Sequence, residues 1–415
     1  MATSFLTLTK KFDKIIHAVT LAGGKFIFVG GCVRDILLGI EPKDYDAEIY
    51  GLDPEKLQQV LESLDKVNVV GKSFGVFKMT HYPIDISLPR LDQKTGVGHK
   101  GFSVKIDYSL SFKQAARRRD LTINSMGYDP QNHKVLDPYE GQKDLEKKIL
   151  KATDPKTFAE DPLRALRVAQ FASRLQMKPD PSLITLCRTL NVNELPAERI
   201  LEELKKLLLK GKTPSTGMEF LHECGIIYQL FYELFDLSSE DWELTLKNLD
   251  RAVLTPPSKE SFALMLAVLL GCVPLVKAKT FLNRLGCPVQ MTKKILALLK
   301  EFHHLKDQNF FYKKKSEYLW AGYHLKNADL TWKDLVWLLK CQHPLLKHLH
   351  KLTEAVLSSG AIHVQNLTPL VQGDKLIELG LKPGKHFKEI LHKALVLQFE
   401  EGEKDVRKIL SRVLE

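Results

Sequence analysis

Two aspartates stand two residues apart in Lys43-Asp44-Tyr45-Asp46-Ala47-Glu48, and the stretch 45–51 alternates like a β-strand. Positions i and i+2 of a strand face the same way, so Asp44 and Asp46 would project side by side. Carboxylates so placed repel unless a cation lies between them, and hard divalent cations such as Mg2+ take oxygen ligands of this kind. Asp85, in Pro83-Ile84-Asp85-Ile86-Ser87, offers a third carboxylate from another strand-like run. Three convergent acids could hold two metal ions, which clamp the attacking and leaving oxygens of an in-line phosphoryl displacement. Taken singly, each pattern is equally compatible with a solvated strand face.

Upstream, Gly30-Gly31 closes the β-rich run 26–29 and opens a helical stretch carrying Arg34, which Gly39 ends. Glycine lets a backbone approach a phosphate closely, and a helix N-terminus presents free N–H groups to it. A tight strand-to-helix turn would need the same pair. Downstream, Asp161 and Arg164 are three apart in a helical pattern, so they are expected on one helix face. A carboxylate accepts from the amino group of cytosine or adenine and a guanidinium donates to the ring nitrogen. The same spacing also suits an ordinary helical ion pair.

The elements that must position these groups change character along the chain. Residues 54–64 read as a helix, 76–82 and 83–89 as successive strands, and 91–103 as a polar, glycine-rich loop. From about residue 142 apolar residues recur at helical period, as in 161–175, 197–211 and 261–270, with no further strand pattern. Phe12, Ile15, Ile16 and Val19 mark an amphipathic N-terminal helix. The expected organisation is α+β: a head with a mixed sheet over 1–145, then helical units over 146–215 (neck), 216–355 (body) and 356–415 (tail).

Composition sets the frame. The 415 residues exceed one compact domain, and 44% hydrophobic with 27% charged residues is ordinary for a soluble globular chain. The net charge of +11, from 61 basic and 50 acidic side chains, suits a polyanionic partner. Cys32, Cys187, Cys224, Cys272, Cys287 and Cys341 are scattered and form no CxxC pair, which fits buried small hydrophobes in a reducing compartment. No apolar run reaches the roughly 20 residues needed to cross a bilayer, and no signal-peptide core opens the chain. A cytoplasmic location is expected.

The motifs GGCVRD (30–35), KDYDAE (43–48), RRDLTIN (118–124), EDPLRALR (160–167) and AERILEEL (197–204), in this order and spacing, resemble the bacterial-type tRNA nucleotidyltransferase and poly(A) polymerase family. The resemblance covers about 180 residues and weakens after residue 235. It implies a polymerase-β-like nucleotidyltransferase head. Gly30 and Gly31 would lie against a nucleoside triphosphate with Arg34 nearby. Asp44 and Asp46 would be the metal ligands, with Asp85 as the third catalytic carboxylate. Arg119, Asp120 and Asn124 would hold the ribose. Asp161 and Arg164 would read the incoming base, Arg167 would approach the phosphates, and Glu198 and Arg199 would brace the supporting helix. Where many members carry a further arginine, this chain has Gln170, which removes one cation.

Within that family, GKSFGVFKM (71–79) resembles the CCA-adding pattern, and the loop from Arg90 to Phe102, with Lys94 and Lys100, has ordinary length. The resemblance implies addition of CCA to the tRNA 3′ end from CTP and ATP with Mg2+. CC-adding, A-adding and poly(A)-forming enzymes are the alternatives within the chemistry, and a catalytically decayed RNA-binding protein is the alternative outside it. The segment GDKLIELGLKPG (373–384) resembles the start of a helix–turn–helix tail that contacts tRNA. Basic clusters at 117–119, 147–148, 205–206 and 313–315 are candidates for tracking RNA phosphates, or solvated faces. The stretch 265–279 holds no His-Asp pair, and His303 and His304 are adjacent, so no phosphohydrolase activity is expected.

Overall fold

The computed structural model describes residues 4–70, 75–94, 102–257, 261–308, 312–342 and 349–415. The chain divides into two compact units, Met1–Tyr232 and Glu233–Glu415.

The first unit opens with α1 (Phe5–Lys11) and α2 (Asp13–Leu21), followed by β1 (Lys25–Val29), α3 (Gly31–Leu37), β2 (Tyr45–Tyr50) and α4 (Pro54–Glu62). Then come β3 (Val67–Val70), β4 (Val76–Met79), β5 (Ile84–Ser87), β6 (Arg90–Lys94), β7 (Phe102–Ile106) and α5 (Phe112–Ala116). The head closes with β8 (Gly127–Asp129), β9 (Lys134–Leu136) and α6 (Gly141–Glu146). Seven strands form one sheet in the order β3-β4-β5-β2-β1-β8-β9. Every pairing in it is antiparallel except β2 with β5, which run parallel. Central strands of this sheet are apolar on their covered positions: Phe26, Ile27, Phe28 and Val29 of β1 are all buried. Phe12, Ile15, Ile16 and Val19 are buried against them, as the N-terminal periodicity predicts.

Three strands of this sheet, β3 and the pair β8–β9, are absent from the sequence expectations for the head. The predicted loop 91–103 is also corrected at its ends. β6 and β7 pair antiparallel from Arg90↔Ile106 to Lys94↔Phe102. Residues 95–101 between them, and 71–74 of GKSFG, lie outside the described residues.

After the head, β10 (Ile149–Leu150) precedes α7 (Pro155–Glu160), α8 (Leu163–Leu175) and β11 (Lys178–Pro179). β10 and β11 pair in parallel, so the expectation of no strands beyond residue 142 fails by one short pair. α9 (Pro181–Arg188), α10 (Ala197–Lys210) and α11 (Pro214–Glu223) follow, with α10 and α11 packed on α8. Gln170 lies on the inner side of α8 and is buried.

The second unit is helical among its described residues. The apolar run 262–276 is split into helices Phe262–Leu269 and Leu275–Arg284 around Pro274, because proline cannot continue a helix. His303 is half-buried and bonded to the Gly271 carbonyl at 2.9 Å, a packing role for a helix histidine. Toward the end, helices Gly373–Glu378 and Lys385–Glu400 flank Gly380 at φ +83° and Pro383-Gly384. Val371, Leu376, Ala394, Leu397, Ile409 and Val413 form their core. Among the described residues no helix is long and apolar enough to cross a membrane.

Candidate active site

Asp46 lies on β2 and Asp44 just before it, both exposed, while Tyr45 and Ala47 between and beside them are buried. The two acids are therefore both open to solvent and close enough for the charge of Asp44 to act on Asp46. No described residue donates a hydrogen bond to either carboxylate. Asp85 is the register partner of Asp46 across β2 and β5. Partial burial, then the neighbouring charges of Asp85, Asp44 and Glu48, push the Asp46 carboxyl above its ordinary range, against the pull of Arg119. Crowded oxygen acceptors without donors suit a divalent cation, which Asp44 and Asp46 could hold. The predicted third member differs. Among the described residues no three acidic, cysteine or histidine side chains close on one point. Asp85 is instead paired with Lys78 at 2.8 Å, because Lys78 stands opposite it in the antiparallel register of β4 and β5.

Glu48, two residues beyond Asp46 on the same strand, was not singled out by sequence. It is fully buried. Its Oε1 accepts from Arg118 and Arg119, each at 2.9 Å, and its Oε2 from the Tyr50 hydroxyl at 2.7 Å. Burial alone would raise this carboxyl, but the two guanidiniums and the Tyr50 hydroxyl hold it below the usual range. The predicted basic cluster 117–119 is therefore internal in large part: Arg117 pairs with Asp154 at 2.8 Å and its two neighbours with Glu48.

Arg119 in turn lies against Gly30. A Cβ on Gly30 would meet Arg119 NH1 at 2.7 Å, and the residue has φ +74°, so only glycine fits without displacement. The Gly30 N–H is used by the Met126 carbonyl at 3.1 Å. The free amides at the start of α3 are those of Gly31, Cys32 and Val33, which no intrahelical acceptor satisfies. The buried Arg119 Nε has no hydrogen-bond partner, and an unpaired buried donor calls for an anion or water.

The predicted ribose and phosphate residues form one buried chain. Arg34 donates through Nε to Asp35 at 2.8 Å and through NH1 to Asn124 Oδ1. Asn124 Nδ2 donates to Asp120 Oδ1 at 3.0 Å, and Arg167 Nε to Asp120 Oδ2 at 2.7 Å. Both guanidiniums lie over the Phe171 ring, at 5.2 and 5.4 Å. Arg34 is thus enclosed, with Asn124 as its contact toward Asp120. Arg167 keeps about a third of its side chain exposed.

Asp161 and Arg164 do not share a helix face, contrary to expectation. Asp161 caps the end of α7 in extended backbone, and α8 begins only after Pro162. Its Oδ1 accepts from Leu163 N and its Oδ2 from Arg199, both at 3.1 Å. Arg199 thereby braces the carboxylate itself, not merely the helix beneath it. Arg164 donates to the Thr157 and Arg118 carbonyls, each at 2.6 Å. Arg118 therefore links the two halves: its side chain holds Glu48 on the carboxylate strand, and its carbonyl holds Arg164 on α8.

A mixed sheet with unpaired carboxylates on its open face, a glycine turn beside them and an arginine-rich polar chain behind defines the class of nucleotidyltransferase heads. Residues 26–151 match the poly A polymerase head domain, and residues 183–252 the family described as the probable RNA and SrmB-binding site of polymerase A. Residues 26–151 are thus similar to the head domain of poly A polymerases. The chain is 37% identical over 217 residues to the multifunctional CCA protein of Alkalilimnicola ehrlichii, covering 51% of each chain. It is 40% identical over 213 residues to that of Methylobacillus flagellatus, covering 50% of this chain and 49% of the relative. It thus spans about half the length of the curated relatives it matches. Its fold is similar to that of the Bacillus stearothermophilus CCA-adding enzyme in complex with CTP (TM-score 0.68, 22% identity, 97% of both chains). It is also similar to the Thermotoga maritima CCA-adding enzyme complexed with tRNA (TM-score 0.62, 20% identity, 98% of this chain and 95% of that one). The family implies dependence on a divalent metal.

Proposed function

We propose that this chain adds CCA to the 3′ end of tRNA without a nucleic-acid template, taking CTP twice and then ATP, with Mg2+ as the cation at Asp44 and Asp46. The observation that carries this reading is the link just described: unpaired carboxylates on β2 joined, through Glu48 and Arg118, to the helix bearing Arg164 and the adjacent Asp161.

Each step joins the tRNA 3′ oxygen to the α-phosphorus of the nucleotide. The α–β phosphoanhydride bond breaks, pyrophosphate leaves, and the hydroxyl proton passes to solvent. Bound Mg2+ supplies charge neutralisation for the phosphates and lowers the cost of forming an oxyanion at the attacking hydroxyl. The chain's own residues supply position. Gly30 leaves room for phosphate beside Arg119, whose Nε is unsatisfied. Asp120 and Asn124 fix Arg167 at the nucleotide side of α8. Asp161 keeps lone pairs beyond those used by Leu163 N and Arg199, enough to accept from the amino group of cytosine or adenine. Arg164 uses two of its five N–H donors on carbonyls and keeps the rest for a ring nitrogen. Uracil and guanine present the opposite pattern at that edge and would be refused.

The substrate RNA is a polyanion. Lys382, Lys385, Lys388 and Lys393 are all exposed around the start of the Lys385–Glu400 helix, a surface suited to backbone phosphates and hence to salt-sensitive binding. The test is incorporation of single labelled nucleotides into tRNA ending before, within and after CC. CMP added twice and then AMP is the expected result. CMP addition without later AMP identifies a CC-adding enzyme, AMP addition only after CC an A-adding one, and no transfer with intact RNA binding a decayed relative.

A further inference from the structure

The strand register sets three charged side chains in one row across the open face of the sheet. Lys78 on β4 stands opposite Asp85 on β5, and Asp85 stands beside Asp46 on β2. Neighbouring strands lie about 5 Å apart, so the row is short. At one end of it Lys78 Nζ closes on Asp85 Oδ2 at 2.8 Å, with the two side chains 50% and 44% exposed. At the other end Asp46 and Asp44 have no donor among the described residues.

We propose that Lys78 is a positioning residue that withholds Asp85 from the divalent cation, so that the free protein offers a two-carboxylate site and the third carboxylate joins only when Lys78 is displaced. This rests on the reading that Asp44 and Asp46 hold the cation. The ammonium acts in two ways. It occupies an oxygen of Asp85 that a metal would need, and it places a positive charge beside the cation position. An exposed ion pair of this kind is weak, so a phosphate-bearing ligand that draws Lys78 to itself would release Asp85 at little cost. Binding of the nucleotide would then complete the metal site, which ties full metal loading to the presence of substrate.

The test is Mn2+ titration of the purified full chain without nucleotide, read by the electron paramagnetic resonance of free Mn2+. The proteins are wild type, Lys78→Met, Lys78→Arg, Lys78→Met/Asp85→Asn and Asp44→Ala/Asp46→Ala, with circular dichroism as the folding control. Removing one neighbouring charge in a largely aqueous setting should tighten Mn2+ binding by about threefold or more. The expected pattern is a gain in Lys78→Met, none in Lys78→Arg, and loss of the gain in the double variant. Mn2+ affinity in Lys78→Met equal to wild type, or a gain that persists without Asp85, overturns the proposal. Unaltered Mn2+ binding in Asp44→Ala/Asp46→Ala would instead refute the metal assignment on which it rests. A purely structural role for Lys78 could only weaken Mn2+ binding when removed, so the direction of the change separates the two.

Discussion

Arg167 Nε donates to Asp120 Oδ2 at 2.7 Å, joining the turn that follows the three arginines to the helix that follows Pro162. Asp120 is buried and accepts two further hydrogen bonds, from Leu121 N and Asn124 Nδ2, while Asn124 Oδ1 accepts from the Arg34 guanidinium. The contact ties the turn bearing Asp120 and Asn124 to α8 within the first unit.

This arrangement gives a defined acid response. Burial would raise the Asp120 carboxyl, but the charge of Arg167 and the hydrogen bonds from Asn124, Arg167 and Leu121 N outweigh it and hold the pKa at about 2. A depressed carboxylate contributes stability that is complete above its unfolded pKa near 4 and is lost as pH falls toward 2. The contribution at pH 7 is on the order of 2 kcal/mol. Asp120→Asn should therefore lower the urea midpoint of the first unit at pH 7, and the gap from wild type should narrow between pH 5 and pH 3. A gap that stays constant over that range would show that Asp120 is not held ionised by Arg167.

Glu48 carries a larger load. It pairs with both Arg118 and Arg119 and lies fully inside the head. Glu48→Gln keeps the shape and removes the negative charge that both guanidiniums share. Breaking a buried pair in this way costs about 3–5 kcal/mol. The expected outcome is a large drop in melting temperature together with a rise in KM for nucleotide, since Arg119 is no longer held against Gly30. An unchanged melting temperature would refute the role of Glu48 as anchor.

Asp46 behaves in the opposite sense. Its carboxyl is pushed up by partial burial and by Asp85, Asp44 and Glu48. A raised acid pKa means that the ionised form is disfavoured in the folded state, so ionised Asp46 subtracts from stability at neutral pH and the deficit shrinks as pH falls through the folded value. Asp46→Asn should abolish nucleotide transfer while leaving the melting temperature at pH 7 equal to or above that of wild type. A destabilised variant would indicate that the carboxylate has a structural partner instead of a cation.

These residues also show what the sequence could and could not disclose. Asp44 and Asp46 were legible because strand alternation is a local rule. Their support was not: Glu48 reads as one more strand acid, and its meaning comes from Arg118 and Arg119, about 70 positions away, where no spacing rule applies. The one available hint was an acid in a strand with buried neighbours on both sides. The ribbon of β6 and β7 escaped notice because polar, glycine-bearing strands have no apolar period, and cross-strand pairing is non-local. The helix face shared by Asp161 and Arg164 was misread for a local reason. A residue before proline is driven out of the helical region, so Pro162 forces Asp161 into extended backbone and starts a new helix after it.

That break shapes the last prediction. Because Asp161 stands outside α8, its direction is set by Leu163 N on one oxygen and Arg199 on the other, and not by helix geometry. Asp161→Ala removes the acceptor for an amino group and should raise the use of UTP and GTP relative to CTP and ATP by about tenfold or more, since one base-edge contact is worth roughly 1–3 kcal/mol of discrimination. Arg199→Met leaves the carboxylate in place but unbraced, and should relax the same ratio to a smaller degree while Arg199→Lys restores part of it. Single-nucleotide incorporation rates measured against all four triphosphates decide the matter. Unchanged discrimination in Asp161→Ala would remove this side chain from base reading and leave the selection to Arg164, whose two fixed carbonyl contacts already orient its remaining donors.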